Sequence, residues 1–484
     1  MRALRTRIEQ SCIQCLTMVC AVLTLGAGKS QAGTNGIVYM ADQEVDDKYE
    51  LYHKDVKTST ITKLSGPLVA GGSVQWFVTD DKGKNVVYLA DQDTDEVFEL
   101  YKTDLKSSSV VKLSPPLVVN GNIDDFLIDP KGKFVYYTAD QDTDTVYELY
   151  QADFKTSSIR KLNAPMIPDG DVQYFIPDPT GKSLVYSADQ DTDEVYELYR
   201  VDLKTGNVVK ISDPLPAGGN VDYVIEFDPK GKSVIYVADQ DTDNVFELYR
   251  ADFKTGLVAK VNAPLAPGGN VDYGQFDSKG KSIVYNADQD TNDVYELYQR
   301  DLKTSTVAKV SGALVPDGDV EDFVIDPKGT AIYYRADQEV NDATELFKTD
   351  LKTSTIVKIS GPLVAGGEVH FGYRVDLKGK SLAYIADQEA DEVRELFRID
   401  LKTGSVTKLN PPLVTNGDVS TSLVQFDSTG RYVSYFAAQD EQDVLESFQV
   451  DLKTGDVIQL NAPFVPGGDV YNFDVLGGTQ PIFD

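Results

Sequence analysis

Aspartates at alternate positions are the residues in this sequence whose type and spacing could do chemistry. Four segments carry them, as Asp91/Asp93/Asp95, Asp140/Asp142/Asp144, Asp189/Asp191/Asp193 and Asp239/Asp241/Asp243. Carboxylates spaced this way in a curled loop can surround a hard cation with oxygens, which is what Ca2+ requires. A glutamate follows four residues after the third aspartate, as Glu197 follows Asp193. Two more segments keep the spacing with a glutamate in the middle, Asp42/Glu44/Asp46 and Asp387/Glu389/Asp391. Against a calcium loop stand Glu96, Thr145, Glu194 and Asn244, which occupy the sixth position, where the usual loop turns on glycine. Asn292 and Asn341 replace the third acid in two other copies, and Ala438 replaces the first in a ninth. The competing reading has the first Asp and the following Gln capping a hairpin through backbone amides, with the remaining carboxylates solvated. Ca2+ is the one cofactor this spacing suggests.

These loops recur because the whole chain recurs. The triplet Ala-Asp-Gln starts at residues 41, 90, 139, 188, 238, 287, 336 and 386, and Ala437-Ala438-Gln439 is its degenerate ninth copy. A period of about 49 residues places four strand-like runs in each unit, seen at 172–176, 183–187, 195–201 and 207–211. Each run is rich in Val, Ile, Tyr or Phe, and turn residues such as Asp178-Pro179-Thr180-Gly181 and Asp202-Leu203-Lys204-Thr205-Gly206 bound them. Four antiparallel strands at this period predict an all-β fold, a single β-propeller of nine four-stranded blades spanning residues 33–484. The opening run Gly36–Met40 matches a second strand, and the closing run Asp469–Phe473 matches a first strand. Pairing of the two termini in one sheet would close the ring; eight blades plus an irregular one is the alternative.

The repeat Asp-Pro-Lys-Gly-Lys, then Ala-Asp-Gln-Asp, Glu-Leu-Tyr and a final Lys-Thr-Gly, as it stands between Asp228 and Gly256, resembles the TolB-type propeller repeat. That resemblance covers nearly the whole chain and implies the fold. The family spans translocation proteins, protease-gating domains and exported proteins, so it implies no single activity.

Aligning the copies exposes a second candidate site. Scaffold positions agree closely, while the start of the innermost strand varies: Gln75, Asp124, Gln173, Asp222, Asp272, Glu321, His370, Ser420 and Tyr471. The next position reads Trp76, Asp125, Tyr174, Tyr223, Tyr273, Asp322, Phe371, Thr421 and Asn472. Polar and aromatic groups at a channel mouth are what a ligand site contains, and the competing reading is free drift at solvent-facing positions. A third repeated element, Glu99-Leu100-Tyr101 and its copies, places a carboxylate in a packed strand, where it must be hydrogen-bonded; it reads as cement between blades.

Charge and processing signals complete the reading. Formal net charge is −31, and 40 of the 77 acidic residues fall between an Ala-Asp-Gln and the following Glu-Leu-Tyr position. One rim is therefore expected to be acidic and the opposite one lysine-rich, which repels nucleic acid and favours a cation, a basic protein or a polymer. Residues 1–32 read as a secretory signal, with Arg2, Arg5 and Arg7 before an apolar stretch and Ser30-Gln31-Ala32 at the cleavage site. All three cysteines (Cys12, Cys15, Cys20) lie in it, so a periplasmic or extracellular mature chain would have none, and no later stretch is long enough for a membrane helix. His53 and His370 are the two histidines, and no thiol, nucleophile elbow or phosphate loop accompanies them. The expectation is therefore an exported, non-catalytic binding or scaffold propeller. Its alternative is a metal-dependent carbohydrate-active enzyme or lactonase using channel-mouth carboxylates.

Overall fold

Turn chemistry cuts each repeat into strands. In the unit that starts at Val172, the Asp178 carboxylate accepts backbone N–H groups from Thr180, Lys182 and Ser183 at 2.5, 3.0 and 2.7 Å. Gly181 supplies the left-handed residue of that turn, at φ 62°. Asp202 does the same for Lys204 and Thr205 at the next turn, at 3.0 and 2.8 Å. Between these turns run Val172–Pro177, Ser183–Ala188, Glu197–Asp202 and Val208–Lys210, paired antiparallel in that order. The second strand is buried at every residue because both its faces are packed, whereas the fourth is largely exposed.

The computed structural model describes residues 36–479. Among the described residues there are thirty-six strands in nine four-stranded antiparallel sheets and no helix. The fold is a nine-bladed β-propeller, with no irregular blade replacing a ninth sheet. No helix is long and apolar enough to cross a membrane among these residues. Residues 1–35, where the secretory signal is expected, and residues 480–484 lie outside the described residues. Blades are numbered here by their Ala-Asp-Gln copies, from blade 1 (Ala41) to blade 9 (Ala437).

Blade 1 is built from both ends of the chain. Its sheet runs Thr60–Lys63, Glu50–Asp55, Gly36–Ala41 and finally Val470–Val475. The last pairing is antiparallel, with Ile37 opposite Val475 and Tyr39 opposite Phe473. The closing strand thereby hides an edge that would otherwise offer unpaired amides.

The chain divides into two compact units. Residues 163–369 hold blades 4 to 7. There, blades 5 and 6 share a core of Ile225, Ile235, Leu248, Phe276, Ile283 and Tyr285. The other unit holds blades 8, 9, 1, 2 and 3. In it the closure blade packs on blade 9 through Ile37, Tyr39, Leu423, Phe436 and Phe473, and on blade 2 through Val38, Met40, Phe77 and Tyr88.

Departures from the 49-residue period fall in one place. The innermost strand has 6 residues in blade 2 (Val74–Thr79), 7 in blade 5 (Val221–Phe227) and 8 in blade 9 (Val419–Phe426). In blade 5 the extra residue makes a bulge between Val224 and Glu226, and in blade 9 the register jumps between Val419 and Val424. Blade 8 keeps only Arg374–Val375 as strand, after Gly372 at φ 100°. A Cβ on Gly372 would come within 2.5 Å of the Thr421 carbonyl oxygen in blade 9, so only glycine fits that approach.

Candidate functional site

The three aspartates of each acidic loop have three different tasks. Asp91 is buried; one oxygen accepts the Ser73 amide at 2.5 Å and the other the Glu96 amide at 3.2 Å. It ties its own loop to the segment entering the blade. Asp93 turns outward to Lys112, at 3.1 Å. Asp95 lies against Gly71, where a Cβ would meet its carboxylate at 2.5 Å. The pattern repeats. Asp140, Asp189 and Asp239 accept the amides of Asn122, Asp171 and Asn220, and those of Thr145, Glu194 and Asn244. Asp142, Asp191 and Asp241 pair with Lys161, Lys210 and Lys260. Asp144 accepts from Asn120 at 3.4 Å, and Asp243 lies against Gly218; Asp193 is exposed. Among the described residues no three His, Cys, Asp or Glu side chains are gathered to hold a metal. The missing glycine at the sixth position proves no obstacle to the turn, since Glu96, Thr145, Glu194 and Asn244 adopt φ of 60°, 68°, 59° and 60°.

The strand glutamates bond within their blade, which corrects the expectation of cement between blades. Glu99 accepts Lys112 Nζ at 2.6 Å and the Tyr101 hydroxyl at 3.0 Å. The cause is register: the hairpin of third and fourth strands sets Tyr101 opposite Lys112, so the ammonium reaches back over the tyrosine to both Glu99 and Asp93. Eight blades hold this clamp, from Lys63 with Glu44 and Glu50 to Lys408 with Glu389 and Glu395. The Lys161 hydrogen bond holds the Asp142 carboxyl below its usual range.

The channel-mouth residues sit where the innermost strands begin. In the four-bladed unit Gln173, Asp222, Asp272 and Glu321 are exposed at the second position of consecutive inner strands. Burial by surrounding protein raises the pKa of Asp222, with Asp239 adding to it, and burial raises that of Asp272. Glu321 is raised by burial as well, although Arg335 opposes the shift. These carboxyls reach solvent yet have enough protein beside them to be partly desolvated. Tyr223 feels the charges of both Asp272 and Asp222, and the Tyr273 ring lies 5.4 Å from Phe323. Asp322 is instead taken by Arg335, at 2.8 Å. In the five-bladed unit Gln75, Asp124 and Tyr471 are exposed, and Trp76 and His370 are half-buried. His370 Nε2 stands 3.4 Å from Asp387, and the Tyr471 ring lies 5.4 Å from Tyr49. Asn472, read as a mouth residue, is buried.

Sequence reasoning missed a polar layer deeper on the same strands. Gln275 accepts the Ile325 amide of the next inner strand at 3.2 Å, and Gln425 accepts that of Val475 at 2.7 Å. Glu226 takes the Phe276 amide in the same way, and its other oxygen has no hydrogen-bond partner. Burial pushes the Glu226 carboxyl well above the usual range. Asp474 accepts from the Thr79 hydroxyl and from Gln425 Nε2, the latter at 3.3 Å. Burial raises its pKa to about 6, against these hydrogen bonds. The 50- and 51-residue spacings mark blades 5 and 9, which carry Glu226 and Gln425, whereas no spacing signal marks Gln275 in blade 6 or Asp474 in blade 1.

The architecture defines a class, the β-propellers. No family model matches the chain, and no curated protein matches it significantly. Among solved structures it is similar to Porphyromonas gingivalis dipeptidyl peptidase 4, at 12% identity and a TM-score of 0.55, over 86% of this chain and 66% of that one. It is also similar to an oligogalacturonate lyase in complex with manganese (15% identity, TM-score 0.43, 77% of this chain and 98% of that one). TolB from Acinetobacter baumannii is similar at 16% identity and a TM-score of 0.31, over 68% and 80% of the two chains. This chain thus spans just under two thirds of the peptidase's length. Identities this low show the fold alone, and the TolB resemblance holds at the level of a propeller. The expectation that the chain is not an enzyme is corrected by the peptidase neighbour: a propeller of this kind forms part of an enzyme there, so an enzyme is compatible with the fold.

Proposed function

We propose that this chain is an exported binding propeller whose inner-strand wall recognises a cationic ligand, with a lysine- or arginine-rich polypeptide as the preferred class. The observation that carries the reading is where variation lies. Every length change of the repeat falls in the innermost strand or at its start, where residue types also change from blade to blade, while the turns repeat and eight blades keep the lysine clamp. On blades 5, 6 and 7 that variation places Asp222, Asp272 and Glu321 beside Tyr223 and Tyr273. Carboxylates attract an ammonium or guanidinium group, and tyrosine faces stabilise it further. The N-terminal Arg-rich, apolar pattern ending at Ala32 supports export. The reading concerns what the wall binds, and it stands equally whether or not the ligand is then processed.

A titration with a lysine-rich peptide, followed calorimetrically at low and physiological salt, tests it. Replacing Asp222 and Asp272 by Asn and Glu321 by Gln should weaken binding at least tenfold and flatten its salt dependence. Replacing the exposed loop acids Asp95 and Asp144 by Asn should change it little. Equal losses from both sets would mean the peptide reads bulk charge, and the wall would have no special part.

A further inference from the structure

Blades 9, 1 and 2 carry a stretch of inner strand that differs in kind from the acids of blades 5 to 7, and its chemistry does not rest on the cationic-ligand reading. The device that exposes it is a β-bulge. In blade 1 Val470 pairs with Ala41 and Asn472 with Met40, so Tyr471 is the extra residue between them. In blade 2 Val74 pairs with Ala90 and Trp76 with Leu89, which leaves Gln75 extra in the same way. A bulged residue loses its ladder partner, and its side chain is re-aimed. Tyr471 is 60% exposed, and among the described residues it is the only exposed aromatic side chain. In blade 9 the register jumps from Val419 to Val424, so Ser420, Thr421 and Ser422 leave the ladder together.

Contacts tie these residues into one surface. The Tyr471 ring lies 5.4 Å from the ring of Tyr49, whose hydroxyl donates to Asp469 at 3.3 Å. Tyr49 also holds the start of the next inner strand: its carbonyl accepts the Val74 amide at 2.9 Å, and its amide donates to Ser73 Oγ at 3.1 Å. Gln75 and Trp76 follow directly, and Trp76 is the single tryptophan of the chain, half-buried against the core of blades 2 and 3. On the other side blade 9 packs on blade 1 through Leu423 and Phe473, and Leu423 follows directly on Ser422.

We propose that blades 9, 1 and 2 bind a neutral oligosaccharide, with a pyranose ring laid on Tyr471 and its hydroxyls met by Gln75 and by the Ser420 and Ser422 side chains. A pyranose face carries C–H groups that pack on the negative face of an aromatic ring. Its rim carries hydroxyls that both donate and accept, and an amide and two hydroxyls can answer in both senses. A lysine- or arginine-rich chain would need carboxylates at the bulged positions. Blades 5 to 7 supply them as Asp222, Asp272 and Glu321, whereas blades 9, 1 and 2 hold Ser420, Tyr471 and Gln75. A carboxylated polymer would be repelled, because the charges of Asp469, Asp42 and Asp47 reach Tyr49.

The single tryptophan makes this surface its own reporter. The intact chain is titrated with cellopentaose, maltopentaose, mannopentaose and chitopentaose. At least one of them should change Trp76 emission, and calorimetry should return the same dissociation constant. Tyr471→Ala, at an exposed position where the fold should be untouched, should weaken that binding about tenfold, and Tyr471→Phe should retain it. An alginate oligomer of the same length should leave the emission unchanged. Any of four results would overturn the proposal: no response to any of the neutral sugars at millimolar concentration, heat of binding without a change at Trp76, an unweakened Tyr471→Ala variant, or alginate bound as tightly as the neutral sugar.

Discussion

Asp474 offers a quantitative test of how the two chain ends are joined. It lies in the closing strand, opposite Val38, with its carboxyl buried against Thr79 and Gln425. Its pKa is raised from 3.8 to about 6, so the folded chain binds this proton more tightly than the unfolded chain does. Stability from this group is therefore greatest below about pH 4, falls as pH rises toward 6, and is fully lost above it. A rise of that size corresponds to about 3 kcal/mol. Asp474→Asn removes the charge and keeps an acceptor for the Thr79 hydroxyl. Unfolding by denaturant, measured from pH 4 to pH 8, should show the variant more stable than wild type by up to about 3 kcal/mol at pH 8, with the gain vanishing near pH 4. A variant that loses the same stability at both ends of that range would show that the carboxylate is held charged, and the reasoning would fail.

Glu226→Gln should behave in the same sense, because Gln275 and Gln425 already perform that contact as neutral amides. Its melting temperature should exceed wild type at pH 8 and match it near pH 4; a lower value at pH 8 would contradict a Glu226 carboxyl whose charged form is disfavoured by burial. Lys210→Met leaves Glu197 buried with only the Tyr199 hydroxyl, and a loss of about 2 kcal/mol at neutral pH is expected from denaturant midpoints. Adding Glu197→Gln to it should recover most of that loss, and failure to recover would mean that packing, not charge, was removed.

The sequence carried the architecture because its signals were redundant. Nine triplets at a near-constant spacing and turn residues in every unit gave the blades, and the strand types at Gly36–Met40 and Asp469–Phe473 gave the closure. The site was legible only in outline. Alternate spacing put Asp91, Asp93 and Asp95 together on paper, but Asp91 and Asp93 are claimed by partners distant in sequence, the Ser73 amide and the Lys112 ammonium, and Asp95 lies against Gly71. Spacing within a loop cannot reveal a lysine that arrives from the next hairpin arm. Glu99 was placed between blades for the same reason, since its partner became visible only through the register of Tyr101 with Lys112. The inner-strand variation was readable, yet its bulges were not, because a spacing of 50 residues counts an insertion without locating it.

Whether the first and last strands are neighbours can be asked of the molecule itself. A chain lacking the N-terminal segment has no cysteine, so Ile37→Cys with Val475→Cys creates one pair in a clean background. Mild oxidation should join them quantitatively in the native state and raise the unfolding midpoint. Thiols that stay free in the folded protein, or that link only between molecules, would contradict an account in which residue 37 meets residue 475 across one sheet.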